Sequence, residues 1–402
     1  MKAILLIIDG LGDEVCSELG DLTPLQAARC HHMTALARRG EFGTLQTCPE
    51  GFAPESTICI MSLLGVDKRF YPQGRASLEA LACGISFTEG DLLFRCNLVA
   101  VDERGRLASF NGGNLTQAEQ IRGLEKVWVP EEIMEFVPMS GYRNLVIAKG
   151  ARTSGLDVKT FPPHDHLGEN ARALWPLVEG NSEQAQAMSE YLHRFMVMNG
   201  SLITSRGLRY GLWVWGQSVM PEWPDFFALH GISGAMVGSI ETVRGIGKAL
   251  KMDVPHIQGG TGDVDTDLGA KLRTGIRLIR DHDFVCIHIN GADEAAHRCQ
   301  GKQKAEFLKK IDEELIGPLA DYLSAEKIAH RLLICGDHAT RSRDGKHALD
   351  PVPFILAQLG GEQENLREKG ERQHLKEFLW EKPAGTGVGL TAEEGLGRLI
   401  KE

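Results

Sequence analysis

The chain has 402 residues, of which 43% are hydrophobic, so it is long enough for one large domain with an insert or for two domains. Its 44 Lys and Arg residues against 54 Asp and Glu residues give a formal charge of -10 at pH 7. This acidic balance argues against a nucleic-acid surface or a polybasic membrane anchor, and it favours chemistry on a small molecule.

The cysteines and the first residues indicate a reduced, non-secreted protein. None of the nine cysteines forms a CxxC pair, and several lie in apolar runs such as FVCIHIN and LLICGD, as reduced core thiols do. The start, MKAILLIIDGLGD, predicts a first β-strand rather than a signal peptide, because acids follow the short apolar run. No apolar stretch reaches the roughly 18 residues of a membrane span. We therefore expect a cytoplasmic protein with no membrane partner.

Apolar runs of strand length alternate with helical patterns along most of the chain. The strand candidates are, in order, KAILLIID, GLWVWG, SGAMVG, DFVCIHIN and RLLICGD. Helical patterns between them include TPLQAARCHHMTALARRG, SIETVRGIGKALKM and GAKLRTGIRLIRD. This alternation predicts an α/β fold with a mainly parallel sheet covered by helices on both faces. We assign residues 1–89 and 171–402 to this core domain.

The segment 90–170 has a different pattern. FRCNLVAVD, GRLASF, MEFVPM and YRNLVIA are short alternating strands separated by turn signals, and a helical pattern lies around Thr116 to Arg122. These features predict a smaller α+β insert with an antiparallel sheet.

Metal-ligand side chains follow three of the predicted core strands, at the point where each strand ends. In open α/β sheets, the chemistry lies beyond the carboxyl ends of the strands. Three carboxylates and three imidazoles suit Zn, Mn or Mg, and they exceed the needs of one ion. The sequence therefore predicts a two-metal site, an arrangement that serves phosphoryl transfer. The six residues are Asp9, Asp293, His297, Asp337, His338 and His347.

A phosphoryl-transfer site also needs a nucleophile. APESTICIMSLLG offers Ser56 or Thr57 at the start of an apolar helical run. Backbone N–H groups and the helix dipole favour a phosphate at such a position. A plain N-cap hydroxyl is the alternative interpretation of either residue.

These motifs together resemble the archaeal-type, cofactor-independent phosphoglycerate mutases of the alkaline phosphatase superfamily. The resemblance runs through IIDGLGD, TPLQAA, PES, GRASLEALACGI, FRCN, GGTGDVDTD, GADEAAH, GDHATR and KHALDPVP, nearly from end to end. It implies interconversion of 2-phosphoglycerate and 3-phosphoglycerate through a phosphoserine. It also implies that the protein binds two divalent cations, with Mn or Zn preferred to Mg or Co. It implies no requirement for 2,3-bisphosphoglycerate as a cofactor.

The resemblance implies a role for each residue of the predicted metal site. One cation would be held by Asp293, His297 and His347. The other would be held by Asp9, Asp337, His338 and Ser56. The deprotonated oxygen of Ser56 would attack phosphorus, and the phosphoserine would return the group to the other hydroxyl of the retained glycerate. The α+β insert would act as a cap that excludes water.

Further residues are candidates for binding the substrate. Guanidinium groups bind carboxylate and phosphate bidentately, which favours Arg75, Arg95 and Arg143, although a surface Arg often contacts only water. His164 and Asp165, in PPHDHLG, are either the general acid and base or ordinary loop residues. Asp263, in GGTGDVDTD, either orients a ligand or belongs to a tight turn.

The chain departs from the family pattern in places where substrate should bind. Glu55 and Thr57 stand where the family has Gly and Asp, Asn290 replaces a Lys, and SFNGGN, Ser109 to Asn114, replaces an Arg-rich stretch. Each lost charge-assisted hydrogen bond is worth roughly 1.5 to 3 kcal/mol. A homoserine-kinase-like phosphotransferase, a phosphatase on another phosphometabolite and a catalytically idle metabolite-binding relative therefore remain alternatives. The sequence does not indicate an oligomeric state.

Overall fold

The computed structural model describes residues 1–72, 74–139, 141–151, 157–180, 182–220, 222–360 and 388–400. Within these residues the strands are β1 Lys2–Ile8, β2 Glu41–Gln46, β3 Leu92–Val101, β4 Leu107–Ser109, β5 Met134–Pro138, β6 Arg143–Ala148, β7 Asp157–Lys159, β8 Leu177–Glu179, β9 Ile203–Ser205, β10 Leu208–Ser218, β11 Gly234–Val237, β12 Phe284–Ile289, β13 His330–Cys335, β14 Ala339–Arg341, β15 Lys346–Ala348, β16 Val352–Leu359 and β17 Val388–Thr391. The α-helices are α1 Pro24–Ala28, α2 His31–Arg39, α3 Ser56–Leu63, α4 Ala76–Ala82, α5 Gln117–Leu124, α6 Glu183–Met198, α7 Phe226–His230, α8 Glu241–Ala249, α9 Leu268–Asp281, α10 Gly291–His297, α11 Gly301–Ile311, α12 Gly317–Ala325 and α13 Ala392–Ile400. The chain divides into two compact units, one of Met1–Tyr71 with Trp223–Glu402 and one of Pro72–Glu222.

The first unit contains a seven-stranded sheet with the order β11-β12-β1-β13-β16-β2-β17 among the described residues. β11, β12, β1 and β13 are parallel, whereas β16 is antiparallel to both of its neighbours. The central strand β1 is apolar along its length because both of its faces are buried, as is usual in parallel sheets. The predicted α/β fold with a mainly parallel sheet is therefore confirmed.

Helices cover both faces of this sheet. Ile4, Leu6 and Ile8 of β1 belong to one apolar cluster with side chains of α2, α9, α11 and α12. On the opposite face, α13 packs against β1 and β13, and a Cβ at Gly395 of this helix would lie 3.1 Å from Leu45 Cδ1 of β2. Burying each such aliphatic side chain contributes about 1.5 to 3 kcal/mol, so the strand ends are held on a rigid base.

The second unit is an α+β structure, as predicted for the smaller part of the chain. Its sheet has the order β5-β6-β3-β10-β9, with β4 paired to β3, and every one of these pairings is antiparallel. α6 supplies Met188, Leu192 and Phe195 to the apolar cluster on one face of the sheet. α5 begins at a capping box in which Thr116 and Glu119 bind each other's backbone N–H groups.

The second unit is wider than the predicted insert of 90–170. It also includes α4, α6, β9 and β10, because β10 pairs with β3 over most of its length although the two strands are far apart in sequence. GLWVWG, which the sequence assigned to the main sheet, is part of β10. That assignment was wrong, because β10 pairs with β3 in the sheet of the second unit. The pattern was misleading because Trp213 and Trp215 are both buried, which gives this antiparallel strand the continuous apolar pattern of a parallel one.

All nine cysteines have free thiols. Cys286 in β12 is fully enclosed, and burial raises its pKa to about 12, as expected for an unreactive core thiol. Among the helices of the described ranges, none is both long and apolar enough to cross a bilayer.

Candidate metal centre

Three parallel strands end at one edge of the main sheet, and each places polar side chains there. Asp9 follows β1, α10 begins just after β12, and Asp337 follows β13. Gly10, which has a φ of +68°, allows the close approach of α10, because a Cβ at this position would lie 2.8 Å from the Cα of Asp293. The six residues predicted from the strand ends therefore lie together, and Ser56 joins them at the first position of α3.

The first group consists of Asp293, His297 and His347. His297 Nε2 lies 3.1 Å from Asp293 Oδ2, and His347 Nε2 lies 3.6 Å from Asp293 Oδ1. The two Nε2 atoms are 3.0 Å apart. Ligands on a tetrahedral ion with bonds of about 2.1 Å are separated by about 3.4 Å, so these atoms have the spacing of ligands on one cation.

Hydrogen bonds at the far side of each ring determine which nitrogen faces this group. His297 Nδ1 donates to the carbonyl of Gly345 at 2.7 Å, and His347 Nδ1 donates to the carbonyl of Pro54 at 2.8 Å. Because a carbonyl only accepts, each neutral ring carries its hydrogen on Nδ1 and presents a lone pair at Nε2. In this neutral form the two lone pairs face each other at 3.0 Å, and either a proton on one ring or a cation bound by both rings removes their repulsion. Metal-binding histidines commonly have this arrangement.

The second group consists of Asp9, Asp337, His338 and Ser56. His338 Nε2 lies 3.5 Å from Asp9 Oδ1, 3.5 Å from Asp337 Oδ2 and 3.1 Å from Ser56 Oγ. These three distances from His338 Nε2 are close to the separation of about 3.4 Å between two ligands of one tetrahedral cation. The group can hold a second cation.

Thr340 connects the two groups. Its hydroxyl donates to Asp293 Oδ1 at 2.6 Å and accepts from His338 Nδ1 at 3.1 Å. His338 therefore also presents a lone pair at Nε2, toward its own group. Thr340 lies on β14, where it pairs with His347 of β15, so this small hairpin positions one histidine of each group.

Buried carboxylates give the centre a strongly negative electrostatic potential. Within the described residues, both oxygens of Asp9 and Oδ2 of Asp337 have no hydrogen-bond partner. Burial, and then the charges of Asp337 and Asp293, raise the pKa of Asp9 well above its ordinary value. Burial also opposes ionisation of Asp293, but when His297 and His338 are protonated, the hydrogen bond from His297 and the charges of the two rings bring the pKa of Asp293 to about 2. Unpaired buried carboxylates cost several kcal/mol each, so this donor set fits divalent cations.

The start of α3 is suited to an anion. The side chain of Glu55, at the N-cap, does not cap the helix. Thr57 is buried, and within the described part of the chain its hydroxyl has no hydrogen-bond partner. Ser56 Oγ, in contrast, contacts His338. Backbone N–H groups at a helix start can bind phosphate oxygens, and Ser56 lies beside those of α3.

The sequence analysis missed three buried polar residues of this unit, His288, Lys271 and Lys304. His288 Nε2 lies 3.4 Å from Asp9 Oδ2, and burial lowers its pKa to about 4, so the ring is neutral. Lys271 Nζ donates to the carbonyl of His288 at 3.0 Å. Lys304 Nζ donates to Asp13 Oδ2 at 2.8 Å. The one available signal was His288, a lone imidazole in the apolar run FVCIHIN.

The substrate-binding candidates of the second unit are Arg75, Arg95, Arg143, His164 and Asp165. Arg95 makes two contacts with Glu79, Nη2–Oε1 at 2.7 Å and Nε–Oε2 at 3.2 Å, and its guanidinium lies over the ring of Trp215. These contacts hold the guanidinium in one plane.

The other candidates lie at element boundaries of the same unit. Arg75 immediately precedes α4, and Arg143 begins β6 with its guanidinium 5.6 Å from the ring of Tyr142. His164 and Asp165 lie in the 3-10 turn Pro163–Asp165, where His164 Nε2 is 3.7 Å from Asp165 Oδ1. Both side chains are substantially exposed.

Asp263 is paired with Arg298, the residue after His297. Arg298 donates from Nη1 and Nη2 to the two carboxylate oxygens at 2.8 and 2.7 Å. These hydrogen bonds hold the pKa of Asp263 below its ordinary value. Asn290, the residue in place of the family lysine, donates to the carbonyl of Gly262 at 2.8 Å. This loop therefore braces both ends of α10.

The fold is that of a protein of known structure. It matches the solved structure of a cofactor-independent phosphoglycerate mutase from Thermoplasma acidophilum with a TM-score of 0.64 and 22% sequence identity, covering 100% of this chain and 99% of that one. This likeness concerns the fold.

Sequence comparison establishes the family. A family model described as 2,3-bisphosphoglycerate-independent phosphoglycerate mutase matches residues 37–201. The chain is 33% identical, over 98% of both sequences, to a probable 2,3-bisphosphoglycerate-independent phosphoglycerate mutase of Geobacter sulfurreducens. It is 30% identical, over the whole of both sequences, to the mutase of that name from Methanosarcina mazei. The chain therefore belongs to the 2,3-bisphosphoglycerate-independent phosphoglycerate mutase family, which confirms the resemblance seen in its motifs.

Proposed function

We propose that this chain is a divalent-cation-dependent phosphoglycerate mutase that interconverts 2-phosphoglycerate and 3-phosphoglycerate through a phosphoserine at Ser56, without 2,3-bisphosphoglycerate. The names of its relatives support the substrate. The observation that carries the metal dependence is the pair of His297 and His347 Nε2 atoms, which face each other at 3.0 Å with both Nδ1 hydrogens committed to carbonyls.

Two cations account for the donor atoms better than one. Asp293, His297 and His347 would hold one cation. Asp9, Asp337, His338 and Ser56 would hold the other. The mixed nitrogen and oxygen set suits Mn or Zn, and it also accepts Mg or Co. Bound as a pair, such cations stabilise the negative charge on the transferring phosphoryl group and on the attacking and leaving oxygens.

Ser56 is the proposed nucleophile. Its oxygen forms a bond to phosphorus while the bond from phosphorus to the glycerate oxygen breaks, and that oxygen takes up a proton. The return step forms the ester on the other glycerate hydroxyl, which loses its proton, and releases Ser56. A primary hydroxyl is less crowded for in-line attack than the β-branched Thr57. The N–H groups of the first turn of α3 orient the phosphoryl oxygens.

The second unit contributes the proposed substrate-binding residues. Arg75, Arg95 and Arg143 are proposed to bind the carboxylate and phosphate groups, and His164 and Asp165 to donate and accept the protons of the glycerate hydroxyls. Asp263 has a different proposed role, because its pairing with Arg298 makes it a support for α10 rather than a substrate ligand. The free thiols and the acidic composition fit a cytoplasmic enzyme that acts on a small phosphorylated metabolite.

One feature favours a second candidate function. The segment SFNGGN, which takes the place of the family's Arg-rich stretch, contains no Lys or Arg. Within it, the Ser109 hydroxyl donates to Asn111 Oδ1. A substrate site with fewer positively charged side chains would fit a phosphotransferase of the homoserine kinase type, or a phosphatase on another small phosphometabolite.

Phosphorus NMR separates these functions in one assay. Metal-free protein is reconstituted with Mn or Zn and given 3-phosphoglycerate, and we expect the 2-phosphoglycerate resonance to grow without release of inorganic phosphate. Parallel samples contain p-nitrophenyl phosphate, or ATP with homoserine. Inorganic phosphate alone would identify a phosphatase, and phosphohomoserine would identify the kinase. No turnover by protein that holds two cations would identify an idle relative. Ser56→Ala should abolish conversion, and Ser62→Ala, on the same helix, should retain it.

A further inference from the structure

His288 is a polar residue in the middle of an apolar strand. It lies in β12, whose other residues are all apolar, and it is almost completely buried. Within the described ranges, its Nε2 atom has no hydrogen-bond partner. A buried polar atom without a partner is unfavourable, so an imidazole retained at this position needs a partner of its own.

The pairing of β12 with β1 places the His288 side chain close to Asp9. His288 pairs in register with Ile7 of β1, and Asp9 comes two residues after Ile7, just beyond the end of β1, where the alternation of an extended chain puts it on the same side of the sheet as Ile7. Nε2 consequently lies 3.4 Å from Asp9 Oδ2, and in the described part of the protein that oxygen also has no hydrogen-bond partner. A small rotation of either side chain brings these two unpaired atoms into a hydrogen bond.

The two oxygens of Asp9 have different neighbours. Oδ1 lies 3.5 Å from His338 Nε2, within the group that includes Ser56, whereas Oδ2 lies near His288. In the proposed function, Asp9, Asp337, His338 and Ser56 supply four donor atoms to that cation, which is the number a tetrahedral shell needs, although His288 also lies with Asp9 and Asp337 in a group that could hold an ion. His288 is therefore not needed as a ligand, and it is placed to hold the oxygen that the cation does not use.

We propose that His288 is a positioning residue for the cation site that contains Ser56. Its ring donates the Nε2 hydrogen to Asp9 Oδ2, which turns Oδ1 toward the cation and keeps Asp9 a one-oxygen ligand. Lys271 fixes the strand beneath the ring, because its Nζ donates to the His288 carbonyl. This inference rests on the two-cation site of the proposed function and deepens it, since it assigns to one of the two sites a residue outside its ligand set.

The test compares three variants in cobalt titrations of metal-free protein, followed by visible absorption and by elemental analysis after dialysis. His288→Leu removes the donor, and we expect one of the two Co²⁺ equivalents to bind about 10- to 100-fold more weakly while the other is unchanged. His288→Gln keeps an N–H at a similar reach, and its two affinities should stay within about threefold of wild type. His330→Leu is the matched control, because His330 is also buried, in β13, but at the opposite end of that strand from Asp337.

The outcomes separate this inference from the proposed function. Two unweakened equivalents in His288→Leu would overturn the positioning role. Loss of a whole equivalent in both His288→Leu and His288→Gln, with an altered spectrum, would also overturn it, because His288 would then be a ligand. If His288→Leu does not fold, His288→Asn replaces it, since its shorter amide does not reach Oδ2. Wild-type protein that binds two Co²⁺ but does not convert phosphoglycerate would refute the proposed function alone.

Discussion

The buried ion pair between Lys304 and Asp13 should hold together the loops that carry the proposed metal ligands. Lys304 Nζ is fully enclosed, and it donates to Asp13 Oδ2 and to the Thr340 carbonyl, each at 2.8 Å. Asp13 accepts in addition from the backbone N–H and the hydroxyl of Ser342. Asp13 follows β1, whereas Thr340 and Ser342 follow β13, so the pair connects two of the three strand ends.

Lys304→Met should therefore be strongly destabilising. Removing one partner of a buried ion pair costs about 3 to 5 kcal/mol, because the remaining charge is left without compensation. For a unit of this size that loss corresponds to a fall in melting temperature of roughly 6 to 20 °C. Adding Asp13→Asn removes the uncompensated charge, so the double variant should recover most of the loss. Lys309→Met on the same helix removes only an exposed pair with Glu313, and it should change stability by less than about 1 kcal/mol.

Urea unfolding of the cation-saturated proteins, followed by tryptophan fluorescence, measures these free energies. In the double-mutant cycle, the double variant should lose less stability than the sum of the two single losses. If Lys304→Met lost no more stability than Lys309→Met, or if Asp13→Asn added a further independent loss, the pair would not hold the loops together.

Three further predictions concern cations and buried charge. His297→Ala and His347→Ala should each lose one of two bound cations by elemental analysis and keep most of the other; loss of both or of neither would contradict the grouping. Chelation of the bound cations should lower the melting temperature, and added Mn should restore it. A ligand at about 100 times its Kd stabilises the folded state by about 2.7 kcal/mol per site, so an unchanged melting temperature would exclude such binding. Burial lowers the pKa of Lys271 to about 8. Its unfolded pKa is about 10.4, so the unfolded state binds more protons between these values and stability rises with pH across that window. The free energy of unfolding of wild type minus that of Lys271→Met should therefore increase by about 2 kcal/mol from about pH 7 to about pH 9.5. Urea unfolding measures it, and a difference that does not change with pH would refute the lowered pKa of Lys271.

Local patterns were sufficient to predict that the strand-end residues lie close together. Asp293 and His297 stand four residues apart, which places both on one face of α10, and Asp9 and Asp337 each follow a parallel strand. These relations depend on helix periodicity and on the edge at which parallel strands end. Neither requires knowledge of the exact pairing partners, so both can be inferred from one sequence.

The residues that support the centre depend on tertiary register and were not predictable in the same way. His288 faces Asp9 only because β12 pairs with β1 in a particular register. Lys304 lies among polar residues of α11, in a pattern that resembles a solvated helix face, yet it is fully buried. The extent of the second unit was missed for a related reason, since β10 joins β3 across a long stretch of chain. Long-range pairings of this kind leave no local signal.

The central claim is that Ser56 carries the phosphoryl group during turnover. Metal-loaded protein is mixed with 3-phosphoglycerate, quenched in acid within the first turnovers, digested, and mapped by mass spectrometry. We expect phosphate on Ser56 in the peptide that contains APESTICIMSLLG, and none in Ser56→Ala, while Thr57→Ala still forms the phosphoenzyme. Phosphate on Thr57, or full conversion of 3-phosphoglycerate by Ser56→Ala, would contradict the claim.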